Sequence, residues 1–196
     1  MSLKVLGFLA VCSVMVTLPS PSHSQQSSLS AHSDSKAGPA HDGQHDFDFE
    51  EGSWKIHLKR RLHPLTGSNQ WVEFDGTSVT RMLWNGRAQI EQFETDGAAG
   101  HIEGMTLRLY HPDSHQWYLY WSNSKDGALD PPMIGEIRNG RGEFYDQQII
   151  NGRAILVRFI WSETNSKVPH FEQSFSDDGG KNWEVNWITD QTKVPD

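Results

Sequence analysis

The residues able to do chemistry are scattered through an acidic, aromatic-rich chain. Arginines stand inside apolar runs at Arg60-Arg61, Arg108 and Arg158. A guanidinium is a planar, permanently charged fork that grips a carboxylate at two points, so an inward arginine would make an anion-binding group. An outward one would pair on the wet face with a carboxylate such as Glu172 or Glu143. Arg158 falls out of phase with the apolar series Ile155, Val157, Phe159 and Trp161, so both readings stay open for it. His57 lies between lysines and His170 opens an aromatic stretch; each has the side chain of an acid, a base or a metal ligand. Neither has a second ligand at a recognisable spacing, so no metal is expected there. Asp48, Glu50 and Glu51 could do acid–base work, although in an acidic protein solvated charges are the simpler reading. There is no Gly-x-Ser-x-Gly elbow for a serine hydrolase.

Aromatic side chains supply area for an apolar ligand. In Gln116–Ser122, Trp117, Leu119 and Trp121 share one face while Tyr118 and Tyr120 share the other. Apolar walls with a few polar groups are the usual lining of small-molecule sites. Trp121, Phe159 or Trp161, and Trp187 are therefore expected to line a cavity. His57, Arg61, Tyr145, Arg158 and Glu172 are the candidate polar contacts. The competing reading is that the aromatics simply fill a core.

Strands must position these groups, because the apolar residues recur with period two and turns punctuate them. Trp54, Ile56 and Leu58 alternate with Lys55, His57 and Lys59 in a first strand, Trp54 to Leu62. Further strands are expected at Trp71–Arg81, Ala88–Thr95, Gly104–His111, Gln116–Ser122, Met133–Arg138, Gly142–Gln148 and Arg153–Ser162. Asn85-Gly86, Asn139-Gly140 and Asn151-Gly152 mark hairpin turns. About ten strands in sequential hairpins most simply close into an all-β, antiparallel up-and-down barrel, which removes exposed edges. A two-sheet β-sandwich is the alternative.

The chain has 196 residues, enough for one domain with its own core. A net charge of −8 disfavours nucleic acid and anionic membrane surfaces as partners. Residues 1–24, with Lys4 before the apolar run Val5–Leu18, read as a secretory signal peptide, too short to span a bilayer. Cys12, the single cysteine, lies inside it, which leaves the mature chain no disulfide and no thiolate nucleophile. Residues 25–46 are polar and small, the composition of a disordered linker. His41, Asp42, His45 and Asp46 at its end are metal-capable groups, for which a solvated linker is again the simpler reading. Residues 47–196 form the barrel domain, expected to be periplasmic or extracellular.

The last hairpin carries Phe171, Gln173 and Phe175 before its turn, and Trp183, Val185 and Trp187 after it. Ser176-x-Asp178-x-Gly180-x-x-Trp183 resembles the Asp-box of sialidases and other secreted β proteins, which implies a structural clasp and no chemistry. Three blocks resemble the bacterial DUF1579-like family, small β-barrel proteins of unknown function. They run from Phe47 through Gly52-Ser53-Trp54 to Leu62, from Leu119 through Pro131-Pro132 to Gly135, and from Phe171 to Trp187. The opening Gly-x-Trp is also similar to that of lipocalin and fatty-acid-binding (calycin) barrels, where the Trp plugs one end. That implies a barrel with a cavity, and the fatty-acid-binding barrels imply a carboxylate-binding arginine inside it. Nitrobindin-type barrels of this shape ligate haem through a histidine, but without a recognisable ligand set no cofactor is expected here, metal and haem included.

The leading functional expectation is non-covalent binding of a small, partly apolar molecule. An isomerase- or hydratase-like enzyme would need an inward acid or base, His57 or Glu172 for example. A structural or interaction module of the cell envelope would instead display its loops, including Asp126 to Pro132. The sequence carries no sign of oligomeric state.

Overall fold

The computed structural model describes residues 41–195. Residues 1–24 and the linker up to residue 40 lie outside the described residues. Ten antiparallel strands close into one barrel in meander order, β1 pairing with both β2 and β10. The strands are β1 (Gly52–Arg61), β2 (Trp71–Leu83), β3 (Ala88–Gly97), β4 (Gly100–His111), β5 (Gln116–Asn123), β6 (Met133–Arg138), β7 (Arg141–Ile150), β8 (Arg153–Ser162), β9 (His170–Ser176) and β10 (Glu184–Lys193). Closure is read directly from the register: Trp54 lies opposite Ser78 of β2 on one side and Lys193 of β10 on the other.

Alternation decides what faces inward. On β1, Trp54, Ile56 and Leu58 are buried while Lys55 is exposed. The Asn-Gly pairs turn as their chemistry requires, with positive φ at Asn85, Asn139 and Asn151 and at the glycine after each. Gly104 has a packing reason: a Cβ there would meet Trp121 Cη2 at 2.4 Å, so the missing side chain makes room for the indole.

One end of the barrel is shut. A short 3-10 turn, Asp48–Glu50, crosses it, and Phe47 packs among Trp117, Phe144 and Trp161. The segment His41–Asp46, assigned to the linker by composition, is part of this seal. Trp117 Nε1 donates to the Gly43 carbonyl at 2.9 Å, and His41 Nε2 meets Asp46 Oδ1 at 2.6 Å. Composition missed this because the anchors are backbone carbonyls, which any residue type supplies. Two apolar clusters result, one around Phe47 and Trp117 at the sealed end and one around Trp54, Ile56, Leu58, Phe74 and Phe93.

β10 departs from simple alternation. A register shift between Val185 and Trp187 leaves Asn186 as the bulged residue. Trp183 and Val185 therefore do not share a face with Trp187, as uninterrupted period two requires; the extra residue resets the phase. Among the described residues no helix is long and apolar enough to cross a membrane.

Candidate functional site

The barrel encloses a cavity of about 710 Å³. It opens at the end opposite the 3-10 turn, beneath the β1–β2 and β5–β6 connections, where His63, Pro64, Lys125, Asp126, Asp130 and Pro131 line it. Its apolar walls include Phe93, Ile102, Trp121, Phe159, Phe175 and Trp187. β9 and β10 are joined by a polar contact, Gln173 Nε2 donating to Asn186 Oδ1 at 2.7 Å, and within β10 Trp187 Nε1 donates to Thr189 Oγ1 at 2.9 Å. The β10 bulge is what brings Asn186 and Trp187 to the cavity together.

The floor is charged. Alternation on β3 and β4 turns Glu91 and Arg108 inward, and Arg108 is only 2% exposed. Arg108 Nη2 donates to Glu91 Oε2 at 2.6 Å and lies 3.7 Å from Glu50 Oε2. Glu50 is fully buried under the 3-10 turn, where its Oε1 accepts from Gln191 Nε2 and its backbone carbonyl accepts from Trp54 Nε1 at 2.8 Å. Gln89 Nε2 ties the turn down further by donating to the Phe47 carbonyl at 2.7 Å. The guanidinium carbon sits 5.2 Å from the Phe47 ring centroid and 5.9 Å from that of Trp161. Burial pushes the Glu50 carboxyl up to about 7, with Glu91 adding to the rise and Arg108 opposing it. Among the described residues, Arg108 Nε and Nη1 and Glu50 Oε2 are buried with no hydrogen-bond partner.

The structure divides the expected site residues into two groups. Trp121, Trp161 and Trp187 line the cavity, as does Phe159. Arg61 lies at the mouth, 3.1 Å from Glu184 and 4.9 Å over the Trp71 ring. The other four face outward. His57 Nδ1 meets Asp75 Oδ1 at 2.9 Å, and Tyr145 donates its hydroxyl to Glu143 at 2.8 Å. Arg158 lies 4.4 Å over the Trp183 ring, and Glu172 accepts from His170 at 3.2 Å. The alternation that buries Val157 directs Arg158 outward, and the same holds for Tyr145 beside Phe144. His170 is drawn down by burial, but its hydrogen bonds to Asp190 and Glu172 outweigh that and hold it above its ordinary value.

The closing turn has the expected clasp. Ser176 Oγ donates to Asp178 Oδ1 at 2.8 Å and accepts from the Gly180 amide at 2.9 Å. Asp178 also receives the Lys181 and Asn182 amides, each at 3.0 Å. The Asn182 amide and side chain, followed by Ser176, pull the Asp178 carboxyl down to about 2. Trp183 packs outside, its ring 6.1 Å from Tyr145.

Sequence reasoning missed Glu91 and Gln191 and placed Glu50 in solvent. Glu91 shares the phase of Gln89 and Phe93, so its inward direction was available once Phe93 was assigned to the core. The inward arginine is Arg108, in phase with Tyr110.

No family model matches the chain, and no curated protein does either. Among solved structures, the S-type phycobiliprotein lyase CPES from Guillardia theta is similar, with a TM-score of 0.54 and 10% sequence identity. The match covers 77% of this chain and 92% of that one. At this identity the likeness shows the fold, a lipocalin-like β-barrel.

Proposed function

We propose that this protein binds a small, partly apolar molecule inside its barrel, after export guided by the leader read in residues 1–24. The observation that carries the reading is the cavity of about 710 Å³, walled by aromatics and ending on buried Arg108 with two unpartnered donors. A volume of that size accommodates an ordinary small-molecule ligand, and apolar walls with few polar groups are what such ligands use. The similar protein, named a phycobiliprotein lyase, adds only that a barrel of this shape occurs in a lyase. A native mass spectrum and absorption scan of the gently purified, full-length expressed protein tests the reading. A bound mass released on denaturation is the expected result, and the mature mass would report where the leader is cut.

A second reading, an enzyme using the same cavity, is favoured by one observation. Glu91 lines the floor while Glu50, behind it, holds its proton close to neutrality. Groups so placed can exchange a proton with a bound molecule. Turnover of the ligand identified by mass, lost in Glu91→Gln with binding retained, would establish this reading.

A further inference from the structure

The floor's charges define the kind of polar group that a ligand can bring to it. Among the described residues, Arg108 carries the one positive charge on the cavity floor, and Glu91 and Glu50 already flank it at 2.6 and 3.7 Å. Gln191, which lines the floor beside them, is neutral. Lys193 lies over Trp54, 5.3 Å from its ring, and is exposed to solvent. With Glu50 protonated the floor is neutral, and with Glu50 ionised it carries one negative charge. In neither state is a positive charge left over for an anion. A ligand carboxylate would become the third acid around one guanidinium, in surroundings where an uncompensated charge is costly. Yet Arg108 Nε and Nη1 are buried donors without acceptors among the described residues, and leaving such donors unmade is itself unfavourable. A neutral oxygen bonded to either one relieves part of that cost without adding charge.

We propose that the inner end of the cavity takes a neutral hydrogen-bond acceptor, a carbonyl or amide oxygen, beside the Arg108 guanidinium, and rejects a carboxylate. This rests on the binding function proposed above and narrows its ligand class. It also reverses the expectation that an inward arginine signals a fatty-acid-type carboxylate. The ligand is an apolar body ending in an amide, lactam, ketone or aldehyde, inserted with that end innermost.

The test is calorimetric titration of the full protein with decanamide and decanoate, which share a chain and differ in the charge of one end. A neutral naphthylamine dye serves as a general probe of the cavity. At about pH 8, decanamide is expected to bind about tenfold or more tightly than decanoate. The double variant Glu50→Gln/Glu91→Gln leaves Arg108 unneutralised and should reverse the order, decanoate now binding better. A gain of carboxylate binding is not a product of misfolding. Decanoate binding as well as decanamide to the unaltered protein would overturn the proposal, while dye binding would leave the binding function standing. Retained amide preference in the folded double variant would overturn it equally. Absence of binding by all three compounds would overturn both.

Discussion

Arg108 on β4 and Glu91 on β3 meet at 2.6 Å inside the barrel, two positions apart in the strand register, since Glu91 lies opposite Thr106. This diagonal pair, joined by Glu50 from the 3-10 turn, connects the cavity floor to the seal beneath it. The ligand recognition proposed here and the closure of the barrel thus meet at one guanidinium.

Removing that guanidinium alone should be severe. Arg108→Met leaves two buried acids without their counter-charge, and breaking a buried pair in this way costs about 3–5 kcal/mol. Urea denaturation should show the loss, and adding Glu50→Gln and Glu91→Gln should recover a large part of it. No recovery would mean that packing against Phe47 and Trp161 matters more than charge.

The pH dependence of stability follows from Glu50. The unfolded carboxyl ionises near its ordinary 4.5, whereas the folded one holds its proton to about 7. The folded state binds the extra proton in that window, so Glu50's contribution is fully present below about 4.5 and is lost as pH rises through about 7. Glu50→Gln should remove this fall, read as the difference between variant and parent in urea midpoint across the window. Parallel profiles would contradict it.

Asp178 acts in the opposite direction. Its folded carboxyl is held at about 2, so its stabilising hydrogen bonds persist above the ordinary 3.8 and are lost as pH falls through about 2. Ser176→Ala removes a buried hydroxyl that bonds both Asp178 and the Gly180 amide, and should cost about 1–2 kcal/mol. Dye affinity should remain within about twofold, because the clasp makes no part of the cavity wall. A larger change in affinity would connect the hairpin to the site.

Gly104 sets the seat of Trp121. Gly104→Ala forces the indole to move, at a cost of about 1–3 kcal/mol, and should weaken dye binding while the barrel's circular dichroism is retained. Unchanged affinity and stability together would show that the wall yields freely there.

Much of the barrel was legible because alternation is a local signal. Met133–Arg138 and Arg153–Ser162 have the bounds their residues predict. The Asp96-Gly97-Ala98-Ala99-Gly100 stretch, which reads as a loop, is instead a strand pair run out to a two-residue turn, with Gly97 opposite Gly100. Glycine composition suggests breakage, but the cross-strand partners override it. The charged floor was not legible for a different reason. Glu50, Glu91 and Arg108 meet only through the register of β3 with β4 and the fold-back of the 3-10 turn. Sequence rules that place isolated charges in solvent cannot anticipate such partners. The outward set, His57, Tyr145, Arg158 and Glu172, was chosen for chemical capability, whereas the period-two phase that sets each apart from its inward neighbours was the signal that would have turned it to the wet face.

The most direct test of the central claim is titration of the protein and its Thr106→Trp variant with the neutral naphthylamine dye. Thr106 lines the cavity between Gly104 and Arg108, so an indole there occupies ligand space without touching the outer face. Saturable binding of one dye per chain to the parent, reduced about tenfold or more in the variant, is the predicted result. Equal binding to both would place the dye on the surface and contradict an account built on the interior.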